Sequence, residues 1–343
     1  MTATSRGARS SFGSSRRTCL LRLGTSVVAC LGAPMIGRAA RPNARFPSRP
    51  ILMCVPWAAG GATDLSLRLL AELAGKALGE TVLVVNRGGA GGTLAMPILA
   101  QSEPNGYTIA QMPQPVFRAP FLQKVSWDPL RDVTPIIQVS GVAFGILVPA
   151  ASDFRSVQDL LDFARRHPGG LSIATNGIGT TPHRVLETLL ADRGLHYIHV
   201  PYKGGTELIL AMQSGHVMAG VSATGFAPEV EAGRLRLLAL LSARRSERWP
   251  EVPTLRELGW DIVAMSPYGL AGPRGLPKEV VETLHEGFRS AVFDPRFEAE
   301  LARYDQQVAY LGPRDYARAC IAQYEAERAA AERSRRSLRG PPS

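Results

Sequence analysis

The sequence predicts an α/β protein of two lobes with a ligand cleft between them. Three observations carry that expectation. From residue 50 onward, short apolar runs alternate with helical periods; the alternation comes in two separate sets; and Gly-rich turns join strand to helix in both sets.

In the first set, "ILMCV" (51–55) reads as a buried strand, and Leu65, Leu69, Leu70, Leu73 and Ala77 then mark one face of a helix. "TVLVV" (81–85) is a second strand, a small-residue helix follows from about Gly92, and "YTIAQM" (107–112) is a third strand. This βαβαβ order argues for a parallel sheet covered by helices. The second set opens with "FGILV" (144–148) and a helix that Ser156 can cap, running through His167. "LSIAT" (171–175), a helix from about Thr181, "YIHV" (197–200), a helix from Gly205, "VMAGVS" (217–222) and "RLLALL" (236–241) continue it. "IVAMSPYGLAG" (262–272) is extended. Pro277 opens the next helix at its first turn, where a missing N–H costs nothing. Helices near 277–292, 295–303 and 313–335 close the chain, and residues 336–343 form a polar tail. In such sheets ligands sit beyond the C-terminal ends of the strands, and two facing lobes put the site between them.

The net charge of +10 hints at nucleic acid until it is located. Residues 1–39 hold six of the arginines (Arg6, Arg9, Arg16, Arg17, Arg22 and Arg38) and no acid. The remainder does not call for a polyanionic partner, so no nucleic acid is expected. Arg16-Arg17, an apolar stretch from Leu23 to Ile36, and Gly37 and Ala39 read as a twin-arginine-like export signal over residues 1–39. Its removal leaves a periplasmic chain. "VVAC" makes a lipid anchor at Cys30 the weaker alternative. No apolar run reaches the roughly 20 residues of a membrane span. Cys54 and Cys320 remain in the mature chain, expected as two buried thiols; with no C-x-x-C, neither zinc nor thioredoxin chemistry is indicated.

Three turns share one character: "PWAAGGATD" (56–64), "NRGGAGGT" (86–93) and "TNGIGTTPH" (175–183). Each follows an apolar strand, is rich in glycine and ends where a helix begins. A helix N-terminus offers unpaired N–H groups and partial positive charge, and glycine lets an anion approach closely. Drawn from both sets, the three turns point to an acidic small molecule. There is no G-x-x-x-x-G-K-[ST], and Leu94 stands where the third glycine of G-x-G-x-x-G belongs, so carboxylate is favoured over nucleotide phosphate.

Catalytic readings find less. "GVSATG" (220–225) is one residue too long for a nucleophile elbow. His196 and His199, three apart on a strand, point to opposite faces, so no metal site is expected. No cofactor motif occurs, and the expectation is not an enzyme. Thr63 and Asp64 are explained by capping. An ionised Asp64 would repel an anion, so a role for it is to tie the loop or meet an ammonium group. His183, in the first turn of a helix, is expected as a neutral ring donating one hydrogen bond, with ligand contact and local capping both open. Arg87 is a carboxylate clamp or a solvated rim charge. Tyr202 and Lys203 either reach the cleft or form a turn.

The order of motifs resembles the extracytoplasmic solute-binding proteins of tripartite tricarboxylate transporters, the Bug family, over nearly the whole mature chain from "FPSRPI" (46–51). The family's "PFPPGGxxD" stands here as "PWAAGGATD", "ENRPGAGG" as "VNRGGAGG", "PPDGYTL" as "EPNGYTI", "SSGxGSxxH" as "TNGIGTTPH", and "VPYKG" is unchanged at 200–204. The resemblance implies a type II periplasmic binding protein, with lobe 1 at 47–143 and 266–335 and lobe 2 at 144–265. It implies a small carboxylate as ligand, membrane permease subunits as partners, and a sensor kinase as the alternative partner. By motif match the contacts come from Ala59, Gly60, Gly61, Thr63 and Asp64 in the first turn and from Gly89, Ala90, Gly91, Gly92 and Thr93 in the second. The third contributes Thr175, Asn176, Gly177, Gly179, Thr180 and His183, joined by Tyr202. Departures from the family pattern are Trp57 for Phe, Ala58-Ala59 for Pro-Pro, and Met218 where an Asp is usual; the last argues against an ammonium-bearing ligand.

Overall fold

One long strand ties the two sets of elements together. In the computed structural model, which describes residues 46–338, the chain runs β1 (Ile51–Val55), α1 (Ala62–Leu78), β2 (Val82–Asn86), α2 (Ala95–Gln101), β3 (Thr108–Pro113), α3 (Pro115–Leu122) and β4 (Val133–Pro149). It continues through α4 (Val157–Arg166), β5 (Ser172–Thr175), α5 (Thr181–Leu189), β6 (Ile198–Pro201), α6 (Gly205–Gln213), β7 (Ala219–Ala223), α7 (Ala227–Glu231) and β8 (Leu235–Leu240). The last elements are β9 (Met265–Pro273), α8 (Lys278–Val292), α9 (Pro295–Arg303), β10 (Gln307–Leu311) and α10 (Pro313–Leu338). The segment read as an export signal lies outside the described residues. So does 339–343 of the expected tail, whose first residues continue α10. Among the described residues no helix is long and apolar enough to cross a membrane.

The strand order is β2-β1-β3-β9-β4-β7-β5-β6, with β8 and β10 also on β4. β1 pairs in parallel with β2 and β3, as the βαβαβ order requires. β4 changes partners along its length. Val133–Ala143 pairs antiparallel with β9, and Phe144–Pro149 with β7 and β8. β5 is parallel to both β6 and β7.

Only the second half of β4 was anticipated. Its first half contains Pro135, which falls at a register shift against β9, where a bulge tolerates the missing N–H. β10 was missed altogether. It is a short, partly exposed strand between two strong helical periods, and its place is fixed by pairing with Ser140 and Gly141 on β4. Ser156 does cap α4: its hydroxyl accepts from the Asp159 N–H while the Asp159 carboxylate accepts from the Ser156 N–H, a reciprocal box.

The main apolar core runs through both halves, from Ile51 and Leu70 through Ile137 and Ile146 to Leu186 and Val221. A second cluster under α2, α3 and α10 holds both Cys54 and Cys320, which are free thiols. Burial pushes Cys54 up to about 11 and Cys320 up to about 12, so both are inert packing groups.

Candidate ligand-binding site

Parallel strands end where backbone must leave the sheet, and the ends of β1, β5, β6 and β7 surround one cavity of about 310 Å³. Several helices begin on its wall, α1, α5 and α6 among them. α1 contributes Gly61, Ala62 and Thr63; α5 contributes Thr180 and Thr181; α6 contributes Gly204, Gly205 and Thr206. None of the three has a side-chain cap: Gly61 and Gly204 have no side chain to offer, and the Thr180 hydroxyl turns back to the Gly177 carbonyl at 2.7 Å. First-turn residues of all three helices therefore line the cavity, and their N–H groups have no intrahelical or capping partner.

Asp64 builds the first turn. It is 1% exposed. Its carboxylate accepts the Gly60 N–H at 2.8 Å, Arg68 Nε at 3.0 Å and Asn86 Nδ2 at 2.7 Å. Asn86 also donates to the Trp57 carbonyl at 3.1 Å. Burial alone would raise this carboxyl, but the bonds from Arg68, Asn86 and Gly60 outweigh it and hold it below the usual range. Asp64 lines the cavity, yet its charge is spent on the loop, the tying role the sequence left open.

The second turn packs instead of facing the space. Gly89, Ala90, Gly91, Gly92 and Thr93 are not in the cavity wall. Gly92, at φ +91°, lies under the Trp57 ring, where a Cβ would come within 2.7 Å of it. Gly91, at φ +63°, sits against the third turn, where a Cβ would meet the Ile178 carbonyl at 2.9 Å. These glycines let two loops and a ring stack closely, and that stacking positions the first and third turns.

In the third turn, Asn176 and Thr180 line the cavity, while Thr175, Gly177, Gly179 and His183 do not. Thr175 is fully buried and shares a 2.7 Å hydrogen bond with His199 Nε2. His183 stacks on His199 with ring centroids 4.3 Å apart, and its Nδ1 accepts the Gly179 N–H at 3.3 Å. A neutral ring was expected there, burial does lower the His183 pKa, and the bond the structure shows is one the ring accepts at Nδ1. Arg118 of α3 donates to the Gly179 carbonyl at 2.9 Å and pairs with Glu327 of α10 at 2.7 Å, both side chains being buried. Gln114 holds Thr181 from the same side, accepting its hydroxyl at 2.9 Å.

Ala59 and Arg87 are both exposed and outside the wall. Tyr202 packs against the apolar cluster under α6, its N–H bonded to the Thr175 carbonyl. Wall residues that sequence reasoning passed over include Gly204, Gly205, Thr206, Gln111, Ser222 and Ser266. A signal existed for the first three, since "VPYKGG" places two glycines at a helix start. None existed for Gln111, an interior strand residue. Among the described residues no cluster of metal-ligating side chains occurs.

The model for the tripartite tricarboxylate transporter family receptor matches residues 66–333. The UPF0065 protein of the gbd 5' region of Cupriavidus necator is 39% identical over 319 residues, 93% of this chain and 97% of that one. The solved periplasmic binding protein BugD superposes with a TM-score of 0.80 at 29% identity, covering 85% of this chain and 98% of its own. An R. palustris protein solved with adipate superposes at 0.76 and 27% identity, covering 84% and 99%. The fold is that of a periplasmic binding protein, and its relatives are solute receptors, not enzymes. The chain belongs to the family of tripartite tricarboxylate transporter receptors.

Proposed function

We propose that this protein is an extracytoplasmic receptor that closes two lobes on a small carboxylated metabolite and presents it to membrane permease subunits. The observation that carries the reading is the convergence of three uncapped helix N-termini, those of α1, α5 and α6, on one cavity. Such termini hold an anion through backbone N–H groups and partial positive charge, with no cation required. The R. palustris neighbour solved with adipate supports a carboxylate as the anion.

The lobes we assign are 47–143 with 266–335, and 144–265, joined where β4 and β9 cross. The change of β4 partners after Ala143 supports that boundary. Within the first-named residues, Gly60, Gly61, Thr63, Asn176 and Thr180 are the contacts we retain, with Gly204 to Thr206 added. Gly89 to Thr93, His183 and Tyr202 act as scaffold. A micromolar ligand supplies about 8 kcal/mol, enough to bias a hinge.

Calorimetry against a broad panel of mono-, di- and hydroxycarboxylic acids tests the reading, with small-angle scattering on the same samples. We expect at least one acid to bind and to compact the protein. A panel with no binder would refute it.

A further inference from the structure

Two side-chain amide oxygens in the cavity wall are buried with no partner. Gln111 of β3 is 2% exposed, and its Oε1 is buried without a hydrogen bond. Asn176 Oδ1 is buried and equally unpaired. Buried polar groups are normally satisfied, so an unpaired amide in a ligand cavity marks a place where the ligand completes the bonding. An amide presents one acceptor and one donor group, whichever way it is turned. An ionised carboxylate only accepts, and so leaves half of that amide unpaired. A hydroxyl or a primary amide satisfies both halves.

Charge points the same way. The wall contains no lysine, arginine or histidine. Its ionisable acids are Asp64, committed to its own loop, and Glu229. Glu229 is held ionised first by its hydrogen bond from Arg234, which outweighs burial; Arg234 and Gln213 take up that carboxylate, so it offers a ligand no partner. The helix termini can neutralise one carboxylate; a second would find no cation in the wall. Between these features the wall is apolar, with Pro113, Val142, Phe144 and Ile209. The cavity is at the small end of the roughly 300–1,000 Å³ range of ligand pockets, so it takes a compact molecule.

Resting on the receptor reading, we infer that the ligand is a monocarboxylate with an apolar middle and a neutral hydroxyl or amide that pairs with Gln111, and that dicarboxylates are disfavoured. One carboxylate takes the N-termini of α1, α5 and α6. The apolar span lies along the strand side of the wall. The neutral donor–acceptor group completes the Gln111 amide, and Asn176 closes the remaining polar edge.

The test is calorimetry on the mature protein with two matched series: hexanoate, 6-hydroxyhexanoate and adipate; and benzoate, the three hydroxybenzoates and terephthalate. In at least one series the hydroxy acid should bind about tenfold tighter, or better, than both its unsubstituted parent and its dicarboxylate. Gln111→Met should erase that gap. Dicarboxylates binding more tightly than the hydroxy acids would overturn the inference and leave the receptor reading standing. Equal binding of parent and hydroxy acid in both series would do the same, as would a gap that survives Q111M. If no acid in these series or in the broader panel binds, the receptor reading itself falls. The wild-type comparison decides the matter even if Q111M does not fold.

Discussion

At the scale of single residues, the site is held by side chains whose polar atoms are spent on the turns. Asp64 is the clearest case: three donors converge on one carboxylate, and two of them, Gly60 and Asn86, position the first turn. Asp64→Ala would leave buried donors unpaired, at a cost of about 1–3 kcal/mol in denaturant unfolding. Because the turn would no longer be fixed, carboxylate affinity should fall about tenfold or more by calorimetry; Asp64→Asn should lose less of both. The stacked pair of His183 and His199 makes a pH prediction. Burial first, and the neighbouring His183 second, lower His199 to about 4, and burial lowers His183 as well. Above an unfolded value of about 6.5 both states are neutral and stability is full. Between about pH 6.5 and 4 the unfolded chain binds protons that the native rings refuse, so stability falls with pH; below that the loss is complete. Thermal melts should show Tm dropping by several degrees from about pH 7 to about pH 5. His199→Gln keeps a partner for Thr175 without titrating and should flatten part of that slope.

At the scale of elements, the receptor reading requires helices that start badly as helices. α1 and α6 begin at Gly61 and Gly204, where Ser or Asp would normally be preferred. Gly61 has room for a side chain: its nearest neighbours to a new Cβ are 3.8 Å away, and its φ of −78° suits any residue. Gly61→Asp should therefore cap α1, raising the stability of the ligand-free protein by a few tenths to about 1 kcal/mol. The same carboxylate would occupy the place of the ligand's, and binding should weaken about 100-fold or more. A melt and a titration on one preparation check both halves. A variant that gained stability and kept its affinity would show that α1 does not hold the anion.

At the scale of the whole molecule, contacts made by residues outside the cavity wall join the two proposed lobes. Arg248, in the β8–β9 connection, donates to the carbonyls of Ala302 and Arg303 at 2.9 and 2.8 Å, at the end of α9. Ser246 donates to Asp305 at 2.8 Å nearby. Arg248→Ala should lower the closed population, reducing carboxylate affinity about three- to tenfold without touching the cavity. Scattering from the ligand-free variant should show a larger radius than wild type; an unchanged radius and affinity would place closure elsewhere. Much of this molecule could be read from the chain alone. The strand–helix alternation, the capping box at Ser156 and the Gly-rich turns at 56–64 and 175–183 are local, set by periodicity and by small residues at strand ends. The ordered motifs from "PWAAGGATD" to "VPYKG" were enough to identify the family. What only the tertiary structure decided was convergence. It drew the Gly204–Thr206 end of α6 into the cavity and left Gly89–Thr93 as packing. It turned His183 onto His199 and brought Gln111 of β3 into the wall with its amide unpaired. Those outcomes depend on sheet register and on which loops stack across a gap, and neighbouring residues in sequence carry no record of either.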